Sequence, residues 1–197
     1  PNVDLLTSHL YGNHDFVADA RTQRERTKGR KPFYIGEYDP RRGAGLLDEV
    51  VANGSTGILA WGLRGHAKEG GYFCHFDPLY YHWPHSPLTR QIRHAAYAIQ
   101  GQSEPPMEIP TAPELLPIES PRAITWKGAT GAERYRLERA LKPEGPWTLV
   151  VDDISDNRCS GSPLYDDEAA PDAQPLYYRL QAKSSSGQSA YSPVVRT

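Results

Sequence analysis

Cysteine is nearly missing from this chain: two in 197 residues, Cys74 and Cys159. Two cannot build a disulfide scaffold. One falls in each half, where buried free thiols are the expected state and a single cystine of an exported protein is the alternative. No apolar run approaches the ~20 residues a membrane span needs, and the mean hydropathy is -0.64, so no membrane span is expected. A basic excess is lacking too, with 22 Lys and Arg against 24 Asp and Glu and a net charge of -2. Proteins that grip a phosphate backbone concentrate basic charge on one face, so no nucleic-acid partner is expected. The run Arg24, Arg26, Lys28, Arg30 and Lys31 reads as a solvated helix face. The chain opens on Pro1 rather than Met, with no charged-then-apolar leader behind it. It is therefore expected to be a piece of something longer.

Glycine and proline are plentiful, at 17 and 18, which predicts many turns. Core material comes from 4 Trp, 12 Tyr and 4 Phe. Every histidine (His9, His14, His66, His75, His82, His85 and His94) lies in the first half. Pro105, Pro106, Pro110, Pro113 and Pro117 crowd the stretch 101–117. Such density disfavours helix and ladder pairing alike and reads as a semi-rigid linker. A boundary near residue 108 gives domains of 1–107 and 108–197.

The first domain alternates strands and helices. Val3–Tyr11, Pro32–Tyr38 and Gly57–Leu63 read as strands, the last without polar alternation, as when both faces are covered. Asp15–Gly29, Gly45–Asn53 and Pro87–Gln100 read as helices, the last with Leu88, Ile92, Ala95, Ala96 and Ile99 on one stripe. The order β-α-β-α-β-loop-α predicts parallel strands in an α/β architecture. In the second domain, Ala123–Trp126, Arg134–Leu141, Trp147–Val151 and Leu176–Lys183 are short strand candidates between turn clusters, which predicts an antiparallel sandwich. Tyr135, Leu137 and Arg139 alternate with Arg134, Arg136 and Glu138, one face buried and one wet.

Three strand ends carry the chemistry. His9-Leu10-Tyr11, Ile35-Gly36-Glu37-Tyr38 and Ala60-Trp61-Gly62 resemble the last three strands of a clan-A barrel, and most closely glycoside hydrolase family 5, which contains endo-β-mannanases and cellulases. The loop from Trp61 through His66, Gly70-Gly71, His75 and Tyr81 to Pro84 is similar to a bacterial mannanase-type branch. The resemblance covers residues 3–100 and implies strands six to eight of a TIM (β/α)8 barrel whose first five strands lie upstream. Three of eight βα units in ~250 residues come to roughly 94 residues, close to the length available.

On that resemblance Glu37 is the nucleophile of a retaining glycosidase, with His9 and Tyr11 bonding around it. Trp61, Arg64, His66, His75 and Trp83 line the substrate mouth. Functional side chains of such barrels sit at the carboxyl ends of strands, where His9, Tyr11, Glu37 and Trp61 all fall. A retaining enzyme needs two carboxyl groups ~5–5.5 Å apart. The family's second, in an Asn-Glu-Pro, has no counterpart in this chain and is expected upstream. Taken alone, Glu37 could equally be a strand-end carboxylate paired with Arg41 or Arg42, His9 a core histidine and Trp61 a core residue. Asp39 reads as a loop cap. Neither cofactor nor metal is expected, the spacing of His75, His82 and His85 fitting no closed metal site.

The second domain resembles a fibronectin type III module through Trp126, Tyr135, Tyr177-Tyr178 and Ser186-Gly187-Gln188-Ser189. Trp126 and Tyr135 are then core, and a strand-F tyrosine can close a tyrosine corner. The resulting expectation is a secreted or periplasmic endo-β-1,4-mannanase-like hydrolase acting on β-mannan or another β-linked polysaccharide. A cellulase or exo-β-glycosidase of the same clan, and a non-catalytic carbohydrate-binding or adhesion protein on a degenerate barrel, are the alternatives.

Overall fold

A computed structural model describes residues 2–74, 86–172 and 174–197. His75 and Trp83, with Tyr80, Tyr81, His82 and His85, lie outside the described residues. The chain forms two compact units: among described residues, 2–63 with 86–104, and 64–74 with 105–197.

The first unit is a parallel sheet in the order β1 (Leu6–Leu10), β2 (Phe33–Tyr38), β3 (Gly57–Ile58). Helices α1 (Phe16–Thr27) and α2 (Leu46–Asn53) make the crossovers. Asp15 starts α1 by accepting the N–H groups of Val17 and Ala18, each at 3.0 Å, which satisfies two of the orphan donors of its first turn. Gly54, at φ +72°, closes α2 in the left-handed conformation, where a residue without Cβ is favoured. Phe33, Ile35 and Tyr38 bury against Leu10, Phe16, Ala20, Leu46 and Val50. Each such large apolar side chain contributes about 1.5–3 kcal/mol.

Ile35 and Tyr38 stand three positions apart, so in a regular strand they would face opposite ways. Both are buried. The reason is a bulge: Ser8 pairs Ile35 while His9 pairs Glu37, leaving Gly36 as an extra residue on β2. An extra residue re-aims everything after it, so Tyr38 returns to the core and Glu37 comes opposite His9.

The third strand is shorter than its apolar run predicts, ending at Ile58 because only Tyr34 and Ile35 of β2 pair with it. Helix α3 (Pro87–Ile99) begins at Ser86, whose hydroxyl accepts the Thr89 N–H at 3.2 Å. Its apolar stripe is present, yet none of its residues is fully buried.

The second unit is a β-sandwich. One sheet runs β7 (Thr148–Ile154), β6 (Arg134–Ala140), β8 (Tyr177–Ser184), with β9 (Gly187–Tyr191) and β10 (Val195–Arg196) following each other along β8. All neighbours are antiparallel. Facing it, β4 (Glu114–Leu115) pairs β5 (Trp126–Lys127), and Ile124 bridges Tyr165. Leu115, Ile118, Ile124 and Trp126 pack on Tyr135, Leu137, Tyr178 and Leu180 in one core. Outward, Arg136 and Lys183 pair with Asp152, and Arg179 pairs with Glu138. Arg179 also stacks over Trp147 at 4.3 Å. The predicted wet and buried faces of β6 hold, with Arg139 as the exception on the buried side.

Four expectations change here. The thiols are not free, since Cys74 and Cys159 form a disulfide. The proline-dense stretch is not a linker throughout: the second unit takes up the chain at Pro105, and Leu115 and Ile118 enter its core. Proline is tolerated there because β4 pairs on one side only, so an edge position needs no second donor. The strand expected at 123–126 lies at 126–127 and is the second of the sandwich, since Ile124 instead bonds Tyr165. Finally, Tyr178 closes no backbone corner. Its hydroxyl donates to the buried Asp167 carboxylate at 2.9 Å, which Arg139 also meets.

Candidate active site

The bulge at Gly36 assembles the polar cluster on the first unit. Glu37 Oε2 accepts the Tyr11 hydroxyl at 2.9 Å and lies 3.5 Å from His9 Nδ1. Both contacts fall on the same oxygen, and no described residue bonds Oε1. A Cβ on Gly36 would stand 2.7 Å from Thr7 Oγ1 and 2.9 Å from His9 Nε2. A methyl at this position would push the Thr7 hydroxyl and the His9 imidazole aside. The His9 side chain is 51% exposed and that of Glu37 32%, so His9 is no core histidine and the carboxylate is open to a ligand.

Trp61 follows β3 at the same carboxyl ends, its N–H donating to the Tyr38 carbonyl at 3.2 Å. The Trp61–Gly62 peptide is cis. At 38% exposure Trp61 is no core residue. His9, Tyr11, Glu37 and Trp61 therefore gather at one end of the sheet.

The arginines that could have neutralised Glu37 are engaged elsewhere. Arg41 bonds Asp39 through Nε and Nη2, and Arg42 bonds Asn13. Asp39 caps the turn at Pro40–Arg42, as its position predicts. The Arg41 guanidinium holds the Asp39 carboxyl below its ordinary range.

One residue in this region carried no signal in the sequence. His14 places Nδ1 on Asp19 and Nε2 on the Tyr11 carbonyl. With an acceptor at each nitrogen the protonated ring is favoured, and the Asp19 contact raises its pKa. His14 thereby anchors the backbone of Tyr11, whose hydroxyl holds Glu37. Only the paired geometry reveals this, since His14 and Asp19 form no recognisable motif.

Arg64 and His66, expected at the mouth, belong to the second unit. Arg64 is buried and bonds Asn157; His66 lies 3.2 Å from Asp156. Among the described residues no group of His, Cys, Asp and Glu could hold a metal ion, and no helix is long and apolar enough to cross a membrane.

No family model matches the chain, and no curated protein does. Among solved structures it is similar to a Fn3-like protein from Clostridium thermocellum, at 23% identity over 45% of this chain and 88% of that one, with a TM-score of 0.32. It is also similar to the sixth fibronectin type III domain of human fibronectin type III domain containing protein 3, at 18% identity over 49% and 89%, with a TM-score of 0.30. The β-sandwich stands on the strand pairing described above.

Proposed function

We propose that the chain supplies the nucleophile side of a retaining β-glycosidase, an endo-β-1,4-mannanase-like enzyme acting on mannan or a related β-linked polysaccharide. The observation that carries this reading is Glu37. It stands at the carboxyl end of the central strand with one oxygen held by Tyr11 and flanked by His9; among the described residues none bonds the other oxygen and no arginine pairs with it. In the proposed reaction Oε1 bonds to the anomeric carbon as the glycosidic C–O bond breaks. The leaving oxygen takes its proton from a second carboxylic acid, and water then releases the sugar. On this reading that acid would be supplied by a segment other than residues 1–197. Trp61 would carry the C–H surface of a sugar ring. The cystine supports an oxidising, extracellular or periplasmic setting.

A dinitrophenyl β-mannoside tests the nucleophile separately from the missing acid, because dinitrophenolate departs without protonation. The full-length protein is expected to release a burst of dinitrophenolate from its 2-fluoro derivative. A matching mass increase on a peptide containing Glu37 is expected, and both signals vanish in Glu37→Gln. Mannan binding without burst or adduct refutes the hydrolase and leaves the carbohydrate-binding reading.

A further inference from the structure

The sandwich holds, besides its own strands, a piece of chain that precedes them by tens of residues. Residues 64–74 fold as a small hairpin: Phe73 N–H donates to Gly65 O at 3.0 Å and Ala67 N–H to Gly71 O at 2.9 Å. The hairpin then joins the sandwich backbone to backbone. Tyr72 N–H donates to Arg158 O at 2.8 Å, and Ser160 N–H to Tyr72 O at 2.9 Å.

The side chains follow the same seat. Tyr72 is 1% exposed, its ring 4.5 Å from that of His66 and beneath the Arg64 guanidinium at 5.1 Å. His66 Nε2 meets Asp156, a buried carboxylate that also accepts the Tyr135 hydroxyl at 2.7 Å. Arg64 bonds Asn157. Both sides of the contact are shaped for closeness. A Cβ on Gly128 would overlap Asp156 Oδ2 and His66 Nε2. One on Gly70 would overlap Thr125 Cγ2, and one on Gly71 would stand 2.6 Å from Arg158 O. Cys74 closes the end of the segment onto Cys159.

A spacer module needs none of this. We infer that the sandwich is an intramolecular receptor for residues 64–74. It fixes the chain that starts three residues after Trp61, and Arg64 and His66 are its docking side chains. The contact is formed by the buried polar and backbone bonds, and the cystine locks a segment already seated. The docking is independent of the role of Glu37.

Native-state hydrogen exchange on the full chain, read by mass spectrometry, decides it. In the oxidised protein, and equally after reduction with a phosphine, peptides spanning 64–74 should exchange at least about tenfold more slowly than the unstructured rate. In reduced Arg64→Ala/His66→Ala that protection should disappear, while peptides from β6 and β8 keep theirs and show the sandwich still folded. A second variant, Gly128→Ala, places a methyl between Asp156 and His66 from the sandwich side and should release the same peptides. Loss of protection on reduction alone would show that the cystine, not the seat, holds the segment. Persistence of protection in both reduced variants would show that these side chains do not dock it. Either result overturns the inference.

Discussion

Replacing Tyr135 with Phe removes one oxygen atom from the middle of the sandwich and should cost far more than its size suggests. The ring is fully buried beside Trp126, with centroids 5.3 Å apart, and Phe fills the same space. What disappears is a hydroxyl that donates to Asp156 at 2.7 Å and accepts the Ala129 N–H at 3.0 Å. The variant leaves a buried N–H without its acceptor and a buried carboxylate short of a donor, a loss of about 2–4 kcal/mol. Urea unfolding followed by tryptophan fluorescence should show a midpoint lowered by about 1–2 M at unchanged m-value. Tyr178→Phe is the internal comparison: Asp167 keeps the charged Arg139, whereas Tyr135→Phe leaves Asp156 only His66 and strips the Ala129 N–H of its acceptor; Tyr178→Phe should cost less. Burial, reinforced by the Asp156 carboxylate, pushes the Tyr135 hydroxyl well above its ordinary pKa. The contribution is therefore intact below the unfolded tyrosine value of ~10, and the loss should be the same at pH 6 and pH 8. A destabilisation under about 0.5 kcal/mol, the level of a neutral surface change, would refute the buried network as described.

Other consequences are as direct. Cys74→Ser/Cys159→Ser opens a link between positions 85 apart in sequence, which by loop-closure entropy is worth up to about 4–5 kcal/mol; denaturant titration of oxidised protein against the double variant measures it. Gly36→Ala drives a methyl into Thr7 and His9. Because His9 is half exposed, displacing it should cost little stability, and trapping at Glu37 should slow with the fold retained by circular dichroism. The His14 imidazole should titrate above free histidine in NMR and return toward it in Asp19→Asn. Its pairing then stabilises the first unit fully below pH ~6.5 and fades as pH rises through the raised value. An unshifted His14 would remove it from the support of Tyr11.

Much of this was legible in the residues. Apolar runs and helix ends follow local rules, so β1, β2 and both crossover helices fall within a few residues of their expected places. Tyr135 and Leu137 alternate because a half-buried strand must. Glu37, His9, Tyr11 and Trp61 were read at strand ends, and the fold brings them to one end of one sheet.

What the sequence could not carry is whatever depends on a partner far along the chain. The bulge at Gly36 exists only relative to β1. Cys74 and Cys159 can pair because residues 64–74 lie on the sandwich, which no spacing announces. Arg64 and His66 find their partners, Asn157 and Asp156, 93 and 90 positions along the chain. Local sequence determined the elements and the strand-end residues. Tertiary structure decided which way Glu37 points and what the loop after Trp61 belongs to, because side-chain direction and burial are set by neighbours rather than by order in the chain.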